Sequence, residues 1–398
     1  MKRFSNIKLQ YEHTIYASYL GYITQAIINN FAPLLFLTFA SSYDLTLDKI
    51  TLITTINFTV QLCVDLISTK LLDRVGYRVS IICAHIFAVL GLLGLAILPD
   101  ITGNPYFGIL ISVVFYAIGG GIIEVLISPI VEACPTTKKE AAMSLLHSFY
   151  CWGHVFVVIV SAVFFKVFGI ANWKILSCIW AIVPLFNIVY FSLVPIYVVS
   201  EGHKKISIGK LLKQKTFWLI IIIMICAGAS EQAMSQWASA FAESALNVPK
   251  FVGDLAGPCA FALSMGSARA IYAKYSDSVP LKKMMMGSAF LCIMCYAVTV
   301  FASNPIMGLI GCAICGFSVG IFWPGTFSIA ALRLPGGGTA MYALMALAGD
   351  IGCASGPTVV GMVANATGEN LKAGLLAAMF FPITIAIGIT MIKDRNEH

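Results

Sequence analysis

YFGILISVVFYAIGGGIIEVLISPIV, residues 106–131, carries one charged side chain, Glu124, in an otherwise apolar and glycine-rich run. A helix needs about 20 apolar residues, at about 1.5 Å each, to cross roughly 30 Å of hydrocarbon, so this run is read as a membrane span. Placing an acid at a bilayer's centre costs roughly 3 kcal/mol on insertion scales. Glu124 therefore needs either a hydrogen-bonded seat against a neighbouring helix or a task.

The rest of the chain agrees. Of its 398 residues 59% are hydrophobic and 11% charged, with mean hydropathy +0.89, outside the range of water-soluble domains. Apolar runs recur at 14–40, 49–70, 79–98, 106–131, 140–168, 172–198, 216–243, 251–275, 281–301, 305–331, 338–365 and 372–392. The expected fold is an all-α integral membrane protein of twelve transmembrane helices in two six-helix pseudo-symmetric bundles.

Lys and Arg are retained preferentially on the cytoplasmic side. An even number of spans puts both termini on one side, where 19 basic residues fall against five on the other, with Arg269 inside a span. Both termini are thus expected in the cytoplasm of a multi-pass cell-membrane protein. The net charge of +7 is then a topology signal, not a nucleic-acid patch. The start MKRFSNIKLQYEH leads into a full-length span, so a cleaved signal peptide is not expected. SEGHKKISIGKLLKQK, residues 200–215, is a basic, amphipathic linker between an N-terminal bundle, 1–199, and a C-terminal bundle, 216–398. A shift of about 200 residues aligns the two bundles weakly. Asp65 and TKLLDRVGYR (69–78) meet Arg269 and AKYSDSVPLK (273–282), which pairs Asp73 with Asp277 and Arg78 with Lys282. Asn29 falls opposite Glu231.

TKLLDRVGYR resembles the loop signature of the major facilitator superfamily through Leu71, Asp73, Arg74, Gly76 and Arg78, while Thr69 and Tyr77 depart from it. Gly76 permits a tight turn. The resemblance implies that Asp65, Asp73, Arg74, Arg78, Arg269 and Asp277 belong to charge clusters that gate alternating access. Spans 1 to 5 are further similar to the fucose:proton symporter and related sugar porters of that superfamily. These have a carboxylate five residues before a proline in the fourth helix, here Glu124 before Pro129, and a polar residue six before a glycine in the fifth, here His147 before Gly153. Their first helix has an Asp four before a proline; here Asn29 stands before Pro33, and Asn cannot titrate.

Helical spacing alone gathers the polar residues onto faces that shun lipid. Tyr22, Gln25 and Asn29 share a face of span 1, and Asn57, Gln61 and Asp65 one of span 2. His147, Tyr150 and His154 stripe span 5, while Glu231, Gln232, Ser235, Gln236 and Trp237 crowd span 7. Together with Trp323 and Asp350, these faces either glue helices or line a water-filled cavity, and their number favours the cavity. The candidate substrate-binding residues are Tyr22, Gln25, Asn29, Asn57, Gln61, His147, Tyr150, Glu231, Trp237, Trp323 and Asp350. Glu124 and Glu231 are the candidate proton-coupling carboxylates. For each residue a packing role stays open, and for Arg269 it is the stronger reading.

Cys292, Cys295, Cys312 and Cys315 have zinc-like spacing, but both pairs lie in apolar spans, where polarizable packing is the simpler account. No metal or cofactor is expected. Without a nucleotide fingerprint or a nucleophile-base constellation the chain is not read as an enzyme. The reading is a monomeric secondary transporter in the lipid bilayer. Its partners are a small polar organic solute, foremost a sugar, and a co-transported proton or sodium ion. An exporter of drugs or amphipathic metabolites and a transport-dead receptor or scaffold stay open as alternatives.

Overall fold

The structure, a computed structural model, describes residues 10–136, 139–197, 208–275, 279–334 and 338–392, with the side chains of 68–74, 139–144, 273–275 and 338–340 among those left out. All regular structure in the described residues is helical. Eleven helices are long and apolar enough to cross a membrane by length and composition. They are α1 (Tyr11–Tyr43), α2 (Leu47–Val75), α3 (Tyr77–Ile101), α4 (Pro105–Ala133), α5 (Lys139–Phe168), α6 (Trp173–Leu193), α7 (Lys215–Ala245), α9 (Leu281–Phe301), α10 (Pro305–Val319 and Phe322–Arg333), α11 (Gly338–Ala366) and α12 (Leu371–Met391). Between α7 and α9, helical segments Lys250–Asp254, Leu255–Cys259 and Ala260–Tyr275 run on without a gap as α8. At about 1.5 Å per residue α8 is long enough to span, and the charges of Asp254, Arg269 and Lys274 lower its hydropathy.

Prolines account for four of the breaks in these helices. A proline has no N–H for the carbonyl four residues before it, and its ring crowds that carbonyl. The α-helical part of α1 ends at Asn30, just after Asn29, which is four before Pro33, and continues as a 3₁₀ turn, Ala32–Leu35. The first part of α8 ends at Asp254, four before Pro258, and becomes a π-turn, Leu255–Cys259. In α10 the break at Gly320 precedes Pro324 by four, and in α12 the first part ends at Ala378, four before Pro382. Span 6 stops short of its apolar run for a related reason. Val194, the residue before Pro195, is extended at φ −75° and ψ 149°.

The chain forms two compact units, Met1–Leu45 with Thr59–Glu201, and Thr46–Phe58 with Gly202–His398. In unit 1 a buried polar link ties three helices, because Asn187 Nδ2 of α6 donates to the Ala17 carbonyl of α1 (3.1 Å) and to His85 Nε2 of α3 (2.8 Å). His85 Nδ1 then donates to the Ile81 carbonyl (2.7 Å), which fixes its tautomer. Gly76, with φ +86°, makes the tight turn between α2 and α3. In unit 2, α7 and α11 approach through small residues. A Cβ on Gly352 would collide with the Ile225 carbonyl oxygen and lie 2.8 Å from Ala229 N.

The repeat is visible in shared devices. Asn104 Oδ1 caps α4 by accepting from Tyr106 N (3.0 Å), and Asn304 Oδ1 caps α10 by accepting from Ile306 N (2.8 Å), each followed by a proline at the first helical position. Arg78 and Lys282, aligned in sequence, close the last helix of their units. Arg78 donates to the carbonyls of Phe191 (2.8 Å), Ser192 (3.0 Å) and Val194 (2.8 Å), and Lys282 to that of Ile392 (2.7 Å). All three of these Arg78 bonds go to main-chain carbonyls of its own unit.

Two outcomes follow. Gly352→Ala should lower stability by about 1–3 kcal/mol through overpacking. Gly287→Ala on α9, where a Cβ meets nothing within 4 Å, should leave it unchanged or slightly raised. Thermal unfolding in detergent compares the two, and equal shifts would refute the seam. Arg78→Met should cost about 1–2 kcal/mol by stripping the α6 terminus of its donors; an unchanged melting temperature would refute the cap.

Candidate functional site

Unit 1 assembles its polar set around α4, whose three consecutive glycines each admit a different neighbour. A Cβ on Gly119 would lie 2.5 Å from the Ala84 carbonyl oxygen of α3, one on Gly120 3.0 Å from Gln25 Oε1 of α1, and one on Gly121 2.9 Å from Val64 Cβ of α2. One turn on, half-buried Glu124 meets the side chains that this approach brings in. Gln25 Nε2 donates to Glu124 Oε2 (3.1 Å) and to Gln61 Oε1 (2.9 Å), and Gln61 Nε2 donates to Asn29 Oδ1 (2.8 Å). Gln25, Asn29 and Gln61 are 2%, 5% and 3% exposed. Asn29 sits at the break in α1, where Pro33 cannot supply the N–H that its carbonyl would receive in a continuous helix.

Tyr22 lies one turn before Gln25, and its hydroxyl is 3.2 Å from Ser128 Oγ, four residues beyond Glu124. The His147 ring, exposed on α5, stands 5.5 Å from the Tyr22 ring, and Tyr150 packs partly buried on the unit 1 core. Ser128 escaped the sequence reading, although its i+4 spacing from Glu124 was the available signal. Asp65 is half-buried on α2. Asn57, buried on the same helix, falls within the segment that clusters with unit 2.

Unit 2 builds its set on α7. Buried Glu231 accepts from Gln232 Nε2 (3.3 Å), and Gln232 Oε1 accepts from Gln236 Nε2 (3.1 Å). The Arg269 guanidinium of α8 reaches to 3.9 Å from Glu231 Oε2. Sequence reasoning placed Arg269 with the gate and missed this partner, because the two residues sit at different distances from their helix ends. Trp237 is fully buried and donates from Nε1 to the Pro357 carbonyl (3.0 Å), which is a helix brace. The Trp323 ring covers Gly349, next to Asp350, which is 8% exposed. A second cluster was also missed. Lys250 Nζ lies 3.2 Å from Asp254 and 4.0 Å from Glu243, and Ser239 Oγ donates to Asp254. The side chains of Asp73 and Arg74, and Asp277 altogether, lie outside the described residues. So do residues 200–207 of the expected linker.

In each unit a carboxylate thus ends a chain of amides whose nearest N–H points at it. Such a seat can hold an acid within a membrane, take up a proton and present hydrogen-bonding edges to a polar solute. Cys292 and Cys315 bring their sulfurs to 3.9 Å within the packing of α9 on α10.

The chain is similar in fold to several solved transporters. A single-site variant of the fucose:proton symporter of E. coli matches with TM-score 0.65 at 16% identity, over 97% of this chain and 100% of that one. A bacterial homologue of the human lysosomal transporter Spinster, in an inward-facing and occupied conformation, matches with TM-score 0.74 at 13% identity, over 96% of both chains. A D-xylose-proton symporter matches with TM-score 0.76 at 11% identity, over 97% of this chain and 98% of that one. No curated protein matches in sequence. The family model of the Major Facilitator Superfamily aligns to residues 18–357, and the chain is a member of that superfamily, a multi-pass membrane protein of the transporter fold.

Proposed function

We propose that this protein is a secondary active transporter that moves a small polar organic solute, a neutral sugar foremost, across the cell membrane by alternating access coupled to protons. Both termini are cytoplasmic in this reading, as the distribution of Lys and Arg directs. Glu124 is the coupling carboxylate, with Glu231 as its counterpart in unit 2. The observation that carries the proposal is the set formed by Glu124, Gln25, Gln61 and Asn29. It offers donors and acceptors that match hydroxyl groups, and its one acid sits where a charged form is costly. The fold likeness to fucose:proton and D-xylose-proton symporters is consistent with that choice. A greasy pocket for amphipathic compounds would have no need of four linked polar side chains in unit 1.

The test uses proteoliposomes with an inward proton gradient and a panel of labelled neutral aldoses that includes fucose and xylose. One pH unit stores about 1.4 kcal/mol, so one-to-one coupling sustains accumulation of up to about tenfold. Glu124→Gln should reduce accumulation to the equilibrium ratio while preserving counterflow, because Gln keeps the shape and hydrogen bonding of a protonated Glu without its charge. A Gln variant that still concentrates solute under the gradient would show that Glu124 is a packed structural acid. Transport of amphipathic compounds with no response to any aldose would overturn the sugar assignment.

A further inference from the structure

We propose that Gln25 and Gln61 form an amide relay that carries the protonation state of Glu124 to Asn29 and reverses which end of the Asn29 amide is turned to the solute. The proposal rests on Glu124 being the coupling carboxylate, and it gives two residues expected to bind solute a different task. Gln25 and Gln61 are 2% and 3% exposed, and their bonds run to each other, to Glu124 and to Asn29. That burial suits transmission better than direct contact.

The direction of each bond carries the argument. Gln25 gives hydrogens to Glu124 and Gln61, and Gln61 gives one to Asn29 Oδ1. A carboxylate only accepts, so it fits this arrangement; a protonated acid has an O–H to donate. Gln25 Oε1 is buried with no donor, and an unsatisfied buried acceptor costs about 1–3 kcal/mol. It is thus the acceptor that the new O–H can satisfy. Rotation of the Gln25 amide by half a turn carries Oε1 to the place of Nε2, where it accepts from Glu124. Gln61 must then turn as well, so that its N–H faces Gln25 and its oxygen faces Asn29. Asn29 turns last and donates from Nδ2. Each of these three bonds persists with its polarity reversed, and no charge leaves Glu124.

Two further observations fit this scheme. Gly120 leaves the Gln25 amide room, because a Cβ there would lie 3.0 Å from Oε1 and 3.3 Å from Gln61 Cδ. Asn29 adjoins the proline break in α1, where a helix presents polar groups in its middle. The relay extends the reach of one acid to a position that holds a side chain unable to titrate. Titratable groups on the helices packed about Glu124 include Tyr22 of α1, Asp65 of α2, His85 of α3 and His147, Tyr150 and His154 of α5. Tyr22 bonds Ser128, and His85 is committed to Ile81 and Asn187.

Infrared difference spectroscopy on the full chain in lipid nanodiscs reads both ends of the relay without a solute. Acidification should bring up a carboxyl C=O band that is missing in Glu124→Gln, together with changes in Gln and Asn side-chain amide bands, told apart by amide-carbon labelling of each residue type. Gln61→Met, similar in length but without the amide, should keep the Glu124 band and lose the Asn change. Gln25→Met should do the same and serves if Gln61→Met fails to fold. A Glu124 band without amide changes, or an Asn change that persists in either Met variant, overturns the relay while leaving the coupling site in place. No Glu124 band at any pH overturns the coupling assignment, and the relay with it.

Discussion

A charge within hydrocarbon must be either neutralised or surrounded by groups that replace water, and much of this molecule follows from that demand at Glu124 and Glu231. Each acid has an amide N–H aimed at it, and at Glu124 the amides come from neighbouring helices that approach α4 at its glycines. Gly119, Gly120 and Gly121 serve three neighbours of α4 in turn. Lost main-chain bonds four residues before Pro33 and Pro258 coincide with polar residues, Asn29 and Asp254. Backbone polarity and side-chain polarity thus coincide at these two breaks.

The two units keep their scaffold in common and differ in their polar sets. Asparagine caps at 104 and 304 and terminal closures by Arg78 and Lys282 recur at corresponding positions. Unit 1 links an acid on α4 to amides on α1 and α2. Unit 2 strings its amides along one helix and sets Arg269 beside the acid. Under the proposed function unit 1 couples through Glu124, while in unit 2 Arg269 balances the charge of Glu231.

Composition and periodicity were sufficient for the membrane class, the order of spans and the faces bearing Gln25, Asn29 and Gln61, because these depend on residues near in sequence. Gly76 was legible as a turn for the same reason. Contacts made by tertiary approach were not. The bond from Gln25 to Glu124, the pairing of Arg269 with Glu231 and the capping by Arg78 join residues 99, 38 and 113 positions apart or nearly so. Spacing rules have no access to such pairs. The apolar run of span 6 overshot its helix because hydropathy counts valine and tyrosine beyond Pro195 as membrane, whereas the backbone stops at Leu193.

The central claim is that solute and proton movement share Glu124. Its most direct test is the ratio of proton to solute flux, measured in the same proteoliposomes with a trapped pH dye and labelled solute, at equal pH on both sides. The account predicts a fixed ratio in the wild type and solute-evoked proton flux reduced to background in Glu124→Gln, with solute still crossing. Solute-evoked proton flux at the wild-type ratio in Glu124→Gln would contradict it.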